Sequence, residues 1–94
     1  FTSLAQLSLN ENPIGDAGAE KLSKSEKVKT LSGLYLSKIE LTDRGAKALA
    51  ASPHLGSLEQ LDVTGNALTK EGIAALKSSP HFSKTTIAVD APNP

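Results

Sequence analysis

The chain has 94 residues, with ten Lys plus Arg and ten Asp plus Glu, so its formal net charge is zero. That balance lacks the electrostatic footprint of a nucleic-acid binder or a polybasic membrane anchor. There is no cysteine, which removes any disulfide framework, thiolate metal site or thiol nucleophile, and no apolar run approaches the ~18 residues of a membrane span.

As a single globule, a chain this short buries only about 60–65% of its unfolded surface and is marginal. The text repeats itself, however. Leu4, Leu31 and Leu58 are each 27 positions apart. The same step joins Leu7, Leu34 and Leu61, then Leu9, Leu36 and Val63, then Ile14, Leu41 and Leu68. It also joins Gly18, Gly45 and Gly72, then Leu22, Leu49 and Leu76. A fixed period of this size marks a repeat architecture, and three units suffice for a continuous core. The repeats are 4–30, 31–57 and 58–84, followed by a terminal strand at 85–90 and a tail at 91–94, all within one domain. The first residue is Phe1 and the text starts in mid-repeat, as expected of a piece of a longer protein.

In the first repeat Leu7 and Leu9 alternate with Gln6, Ser8 and Asn10, the period of a strand with one buried face. Ile14 follows as a buried turn residue, and Gly15 precedes a helix from Asp16 to about Ser25. Gly18, Ala19 and Leu22 share one face of that helix. Glycine inside a helix costs up to ~1 kcal/mol against Ala, so its recurrence implies close approach of stacked helices. In the second repeat Thr42 is the expected N-cap, and Asp43 complements the helix dipole. Ser52-Pro53 ends the helix, because the residue before proline leaves the helical region. The third repeat uses Thr69 as cap, Glu71 in the first turn, Ile73 and Leu76 inward, and Ser79-Pro80 as stop. Val28, Leu55 and Phe82 plug the returns to the next strand. In the tail, Ile87 and Val89 fall out of step with the period. The last strand is expected either to slip by one residue, which flips its faces, or to stop obeying the repeat.

LAQLSLNEN at residues 4–12 follows L-x-x-L-x-L-x-x-N, and with the helical half and its glycine it resembles a leucine-rich repeat of the ribonuclease-inhibitor-like class. The texts GAEKL, GAKAL and SPH are also similar to leucine-rich repeats of bacterial multidomain proteins. The resemblance implies an α/β right-handed solenoid, a horseshoe segment with parallel strands on the concave face and helices on the convex face. It implies a non-catalytic module that binds other proteins. The consensus Asn falls at Asn12 and Asn66, where it is expected to be buried and bonded to loop backbone, but Ile39 holds the middle position. An amide supplies two donors and an acceptor, and Ile39 supplies none, so that loop must satisfy its backbone otherwise or change shape.

Candidates for chemistry are few. His54 and His81 are equivalent positions, but the first repeat has Lys27 there and no third metal ligand is evident. Glu40, Asp43, Glu59 and Asp62 are better explained by capping and solvated surface than by acid–base work. The lysines at 21, 24, 27, 29, 47 and 77 are diluted by Glu20, Glu26 and Asp43, which fits ordinary solubility. No enzyme, cofactor or metal site is therefore expected.

The concave positions are Gln6, Ser8 and Asn10, then Gly33, Tyr35 and Ser37, then Gln60, Asp62 and Thr64. The expected partner-binding residues are Tyr35, Asp62, Gln60, Ser8, Ser37 and Thr64, since tyrosine is enriched in interface hot spots. Gly33 is expected to leave a low spot beside the Tyr35 ring. The partner is a protein, not nucleic acid or membrane. A spacer or self-associating segment of a larger sensor or effector is the alternative, with further repeats or another copy at Phe1 and Leu4 on one end and Ile87 and Val89 on the other. Regulation of a small GTPase, known for some similar repeats, finds no arginine on these concave strands. The composition fits a cytoplasmic location.

Overall fold

Alternating apolar and polar residues give three-residue strands, and the glycine-bearing segments give helices, in strict succession. The computed structural model describes residues 5–92. The elements are β1 Gln6–Ser8, α1 Gly15–Lys24, β2 Gly33–Tyr35, α2 Asp43–Ala50, β3 Gln60–Asp62, α3 Lys70–Lys77 and β4 Thr86–Ala88. The strands form one parallel sheet in the order β1-β2-β3-β4, and α2 packs between α1 and α3. This is an α/β solenoid segment, with parallel strands on one side and helices on the other. Short 3-10 turns at Glu26–Val28 and Pro80–Phe82 lead back from α1 and α3 to the sheet. Phe1 and Leu4 lie outside the described residues.

The core sits between sheet and helices. Leu34, Leu36, Leu41 and Leu49 of the second coil are 0% exposed. Their equivalents Leu7, Leu9, Ile14 and Leu22 in the first coil are only partly buried, because no described coil covers them. Each buried leucine is worth about 1.5–3 kcal/mol relative to an exposed one, so the first coil is the less stabilised. Val28, Leu55 and Phe82 are buried, as plugs should be.

The last strand does slip, yet its faces do not flip. Leu61 pairs with Ile87 and Gln60 with Thr86. The Thr85 N–H donates to Phe82 O at 3.1 Å, as Leu58 N–H does to Leu55 O at 3.2 Å. Thr86 already holds the sheet position of Gln60, so a residue equivalent to Glu59 is missing between Thr85 and Thr86. The deletion restores step, and Ile87 and Val89 pack against the core.

Side chains join the coils at both ends of each helix. Asp16 Oδ1 accepts from the Thr42 N–H at 2.8 Å and the Gly45 N–H at 3.1 Å, and Asp16 Oδ2 accepts from the Thr42 hydroxyl at 2.5 Å. Asp43 repeats this one coil on, toward Thr69 N–H at 2.9 Å, the Thr69 hydroxyl and Gly72 N–H. Asp43 therefore caps the following helix rather than its own. The same contacts account for the glycines, where neighbouring helices come close. A Cβ on Gly45 would meet Leu41 Cδ1 of its own coil and Asp16 Oδ1 at 2.5 Å, and one on Gly72 would meet Asp43 Oδ1. The glycine makes room for the neighbouring helix, chiefly for the carboxylate that this helix sends across and also for Ala19 beside Gly45 and the Asp43 backbone beside Gly72. At the other helix end, Ser52 Oγ donates to Ser23 O and Ser79 Oγ to Ala50 O, both at 2.5 Å.

The two asparagines differ. Asn66 Oδ1 accepts from Ile39 N–H and Leu41 N–H, both at 3.0 Å, and its Nδ2 donates to Leu36 O, Val63 O and Thr64 O. It is half-buried and ties the third coil to the second. Asn12 is exposed, not buried as expected, and donates only within its own loop, to Leu9 O and Asn10 O. Ile39 is 0% exposed and sits in the core. The loop it cannot serve closes on itself, with Asn12 N–H to Leu9 O at 3.3 Å and Ile14 N–H to Asn12 O at 2.7 Å. The second loop changes shape as well. Glu11, Lys38 and Gly65 share a left-handed turn; the first coil adds another at Gly15 and the second at Glu40, a non-glycine residue with φ 67.

Two outcomes follow from these joints. Asn66→Ala should lower stability by ~1–3 kcal/mol, since it orphans backbone groups of two coils, while Asn12→Ala should stay within about 0.5 kcal/mol; thermal melts of both variants check this. Acid is the second lever. Burial pushes the Asp16 carboxyl up, but the bonds from Thr42 and Gly45 outweigh it and hold the group below its usual pKa. The Thr69 hydroxyl and N–H hold Asp43 below its usual value too. A depressed folded-state pKa means stability that is fully present above the unfolded value of about 3.9 and is lost as pH falls through the folded pKa. Asp43→Asn should thus destabilise at neutral pH, with a difference from the parent chain that shrinks below about pH 4.

Candidate protein-interaction face

The strands leave one side of the sheet uncovered, because helices occupy only the other. Register then decides which outward residues become neighbours. Ser8 pairs with Tyr35 and Tyr35 with Asp62, forming one row. Gln6, Gly33 and Gln60 form the row beside it. Both rows continue onto β4, to Ala88 and Thr86, which extend the face by one strand.

Tyr35 is half-buried, and its hydroxyl explains why. A Cβ on Gly33 would fall 2.8 Å from Tyr35 Oη and 3.1 Å from Gln6 Cδ. The ring lies back along its own strand over Gly33, with Gln6 against the same spot. The expected low spot for a partner side chain is thus filled from within, and Gly33 is buried. What the face offers instead is the outer side of a pre-placed ring, with less rotamer freedom left to lose on binding.

Asp62 is also held. Its Oδ1 accepts from the Thr64 N–H at 2.9 Å and the Thr64 hydroxyl at 2.7 Å. Both bonds fall on one oxygen, so Oδ2 is left for a partner. Thr64 Oγ1 lies 3.2 Å from Ser37 Oγ, and Ser37 N–H donates to Asn10 Oδ1 at 2.7 Å. Asn10, Ser37 and Thr64 therefore form a stitched flank. Gln60 and Ser8 are exposed and outward.

Beside the face lies a groove that the repeat pattern did not reveal. It measures about 520 Å3 and is lined by Lys38, Glu40, Leu41, Thr42, Gly65, Asn66 and Ala67. The left-handed turn at Glu40 shapes one wall. The signal in the sequence was the Ile39 departure. His54 and His81 are half-buried, and their backbone N–H groups donate to Ser52 Oγ and Ser79 Oγ, both at 3.2 Å. Among the described residues no cluster of three or more His, Cys, Asp or Glu could hold a metal ion, and no helix is long and apolar enough to cross a membrane.

The family model described as Leucine Rich repeat matches residues 2–23 and 54–77. The unmatched middle holds Ile39 and its altered loop. No curated protein matches the chain.

Tyr35 is the only tyrosine and there is no Trp, so near-ultraviolet emission above the phenylalanine background reports this ring alone. Gly33→Ala should lift the ring off the strand and change that emission and its quenching by iodide, with the melting temperature reduced only slightly; an unchanged spectrum would mean that Gly33 does not seat the ring.

Proposed function

We propose that the chain, two stretches of which match the leucine-rich-repeat model, is a non-catalytic module that binds another protein through its concave strand face. The family generally serves protein–protein interaction. The observation that carries the proposal is the held pair on that face: Tyr35 seated over Gly33 and Asp62 fixed by Thr64. Neither side chain contributes to the leucine core. Both are pre-positioned, which lowers the ordering cost of association. Gln60, Ser8, Ser37 and Thr64 complete the surface as hydrogen-bonding groups. The partner this chemistry fits brings an apolar group to the tyrosine and a Lys or Arg to Asp62 Oδ2. The same proposal places the module in the cytoplasm, where a cysteine-free chain needs no disulfide.

A stacking module within a larger sensor or effector is the alternative, supported by the partly exposed Leu7, Leu9, Ile14 and Leu22.

The test is calorimetry with the native partner. Tyr35→Ala should weaken binding by ~2 kcal/mol or more, as hot-spot truncations do, while the fold persists because the ring lies outside the core. Affinity unchanged in both Tyr35→Ala and Asp62→Ala would move the site to the helices or the coil ends.

A further inference from the structure

The two ends of the solenoid are built differently. At the C-terminal end, Lys70 stands where Asp16 and Asp43 stand in the coils before it. Those carboxylates cap the next helix, and an ammonium group cannot accept a hydrogen bond. Lys70 also lies in the first turn of α3, where a cation is unfavourable to the helix dipole, so its own helix does not account for it. Asp90 is a second difference. Its Oδ2 accepts from Gly65 N–H at 2.7 Å, a bond that Glu11 and Lys38 make to the backbone carbonyls of Ser37 and Thr64. The deletion before Thr86 is a third. Both ends leave apolar strand residues partly exposed, Leu7 and Leu9 at one and Ile87 and Val89 at the other, so the polar groups make the difference. At the N-terminal end, Asn12 Oδ1 accepts no bond among the described residues, whereas Asn66 Oδ1 takes two N–H groups from the coil before it. The N-cap residue of α1 is Ile14, which has no hydroxyl to meet a carboxylate, whereas Thr42 and Thr69 at the equivalent turn donate to Asp16 and Asp43.

We propose that the solenoid is directional: its N-terminal face accepts a further leucine-rich coil carrying an aspartate at the position of Asp16 and Asp43, and its C-terminal face, from Lys70 to Asp90, is a built-in stop. This deepens the stacking role and is independent of concave-face binding. The two internal joints identify the occupant, because the apolar residues of the first coil are equivalent to those that the first and second coils cover in their successors. A second copy does not fit as that occupant. Its outer end presents Lys70 to the start of α1, and with four strands but three helices among the described residues it would leave one helix position empty.

The experiment is to extend the chain at each end. A copy of residues 31–57 fused ahead of residue 4 should raise Tm by about 5 °C or more and slow amide exchange at Leu7–Leu9. The same added coil with Asn in place of its aspartate should give a smaller rise. A copy of residues 65–84 placed after Asp90 should give no rise in the parent chain and a clear one in the Lys70→Asp host, each compared with its own unextended host. Equal gains from the C-terminal extension in the two hosts, or no gain from the N-terminal fusion, would overturn the proposal. Head-to-tail oligomers of the unextended chain in sedimentation would overturn it as well.

Discussion

The carboxylate that reaches from one coil to the start of the next helix is the constraint on which the other features depend. A helix leaves its first N–H groups without partners, and a helix of eight residues such as α2 or α3 has few internal bonds to offset that. Asp16 and Asp43 supply acceptors from outside the helix they serve. The bond fixes the distance between successive helices, requires glycine at the receiving position, and requires Thr or another donor just before the helix. Serine hydroxyls do the complementary work at the other end, donating to the last carbonyls of the preceding helix. A single coil thus lacks these polar partners, and stability is a property of joints between coils.

That division of labour leaves the outward strand positions unburdened. Inward leucines hold the core, and Asp, Ser and Asn hold the edges. Tyr35 and Asp62 are needed for none of this, yet neither is loose. Gly33 is costly for a strand, having no side chain to pack, and here it is the seat of the tyrosine ring. A glycine kept where it weakens the sheet but places an aromatic residue on an open face is the kind of local exception found at functional surfaces.

Much of the fold was legible because burial follows period. The step of 27 placed Leu34 over Leu7 and Leu61 over Leu34, and the sheet has that register. The rows of the outward face followed from the same count. Missed features depend on where a side chain turns after its Cα is placed. Thr42 and Asp43 look alike as caps in sequence, but Thr42 donates backward to Asp16 while Asp43 accepts from the next coil. Asn12 and Asn66 are the same residue at the same repeat position, but the amide needs N–H partners from a preceding coil, and only Asn66 has them. The β4 register was ambiguous because a deletion shifts the count without announcing where it falls. The faces of Ile87 and Val89 settle it, since burying two apolar residues outweighs keeping the period. The low spot at Gly33 failed for a related reason: a gap beside a long flexible side chain is filled by that side chain.

Ile39 shows how an array can trade one kind of joint for another. An asparagine there would have taken the N–H groups of Asn12 and Ile14, as Asn66 takes those of Ile39 and Leu41. The isoleucine instead adds a fully buried side chain to the second coil, worth about 1.5–3 kcal/mol. The first loop makes its own bonds at the cost of tighter local turns, and the second accepts a left-handed Glu40, worth roughly 1–2 kcal/mol against it. The two terms nearly cancel in the second coil, but they act on different things. The buried side chain strengthens that coil itself, whereas the missing amide removes a tie between it and the first. Loop-side coupling is therefore weaker between the first and second coils than between the second and third. Backbone bonds remain across the weaker joint, from Leu9 to Tyr35, Glu11 to Ser37 and Gly15 to Ile39, together with the Asp16 cap, the Ser37 N–H bond to Asn10 Oδ1 and the Arg44–Glu20 ion pair. In a chain whose stability is a sum over such joints, the first coil is held less firmly on its loop side than the third, and Ser8 and Gln6 belong to it. The concave face is thus firm at Tyr35 and Asp62 and more yielding along the β1 edge.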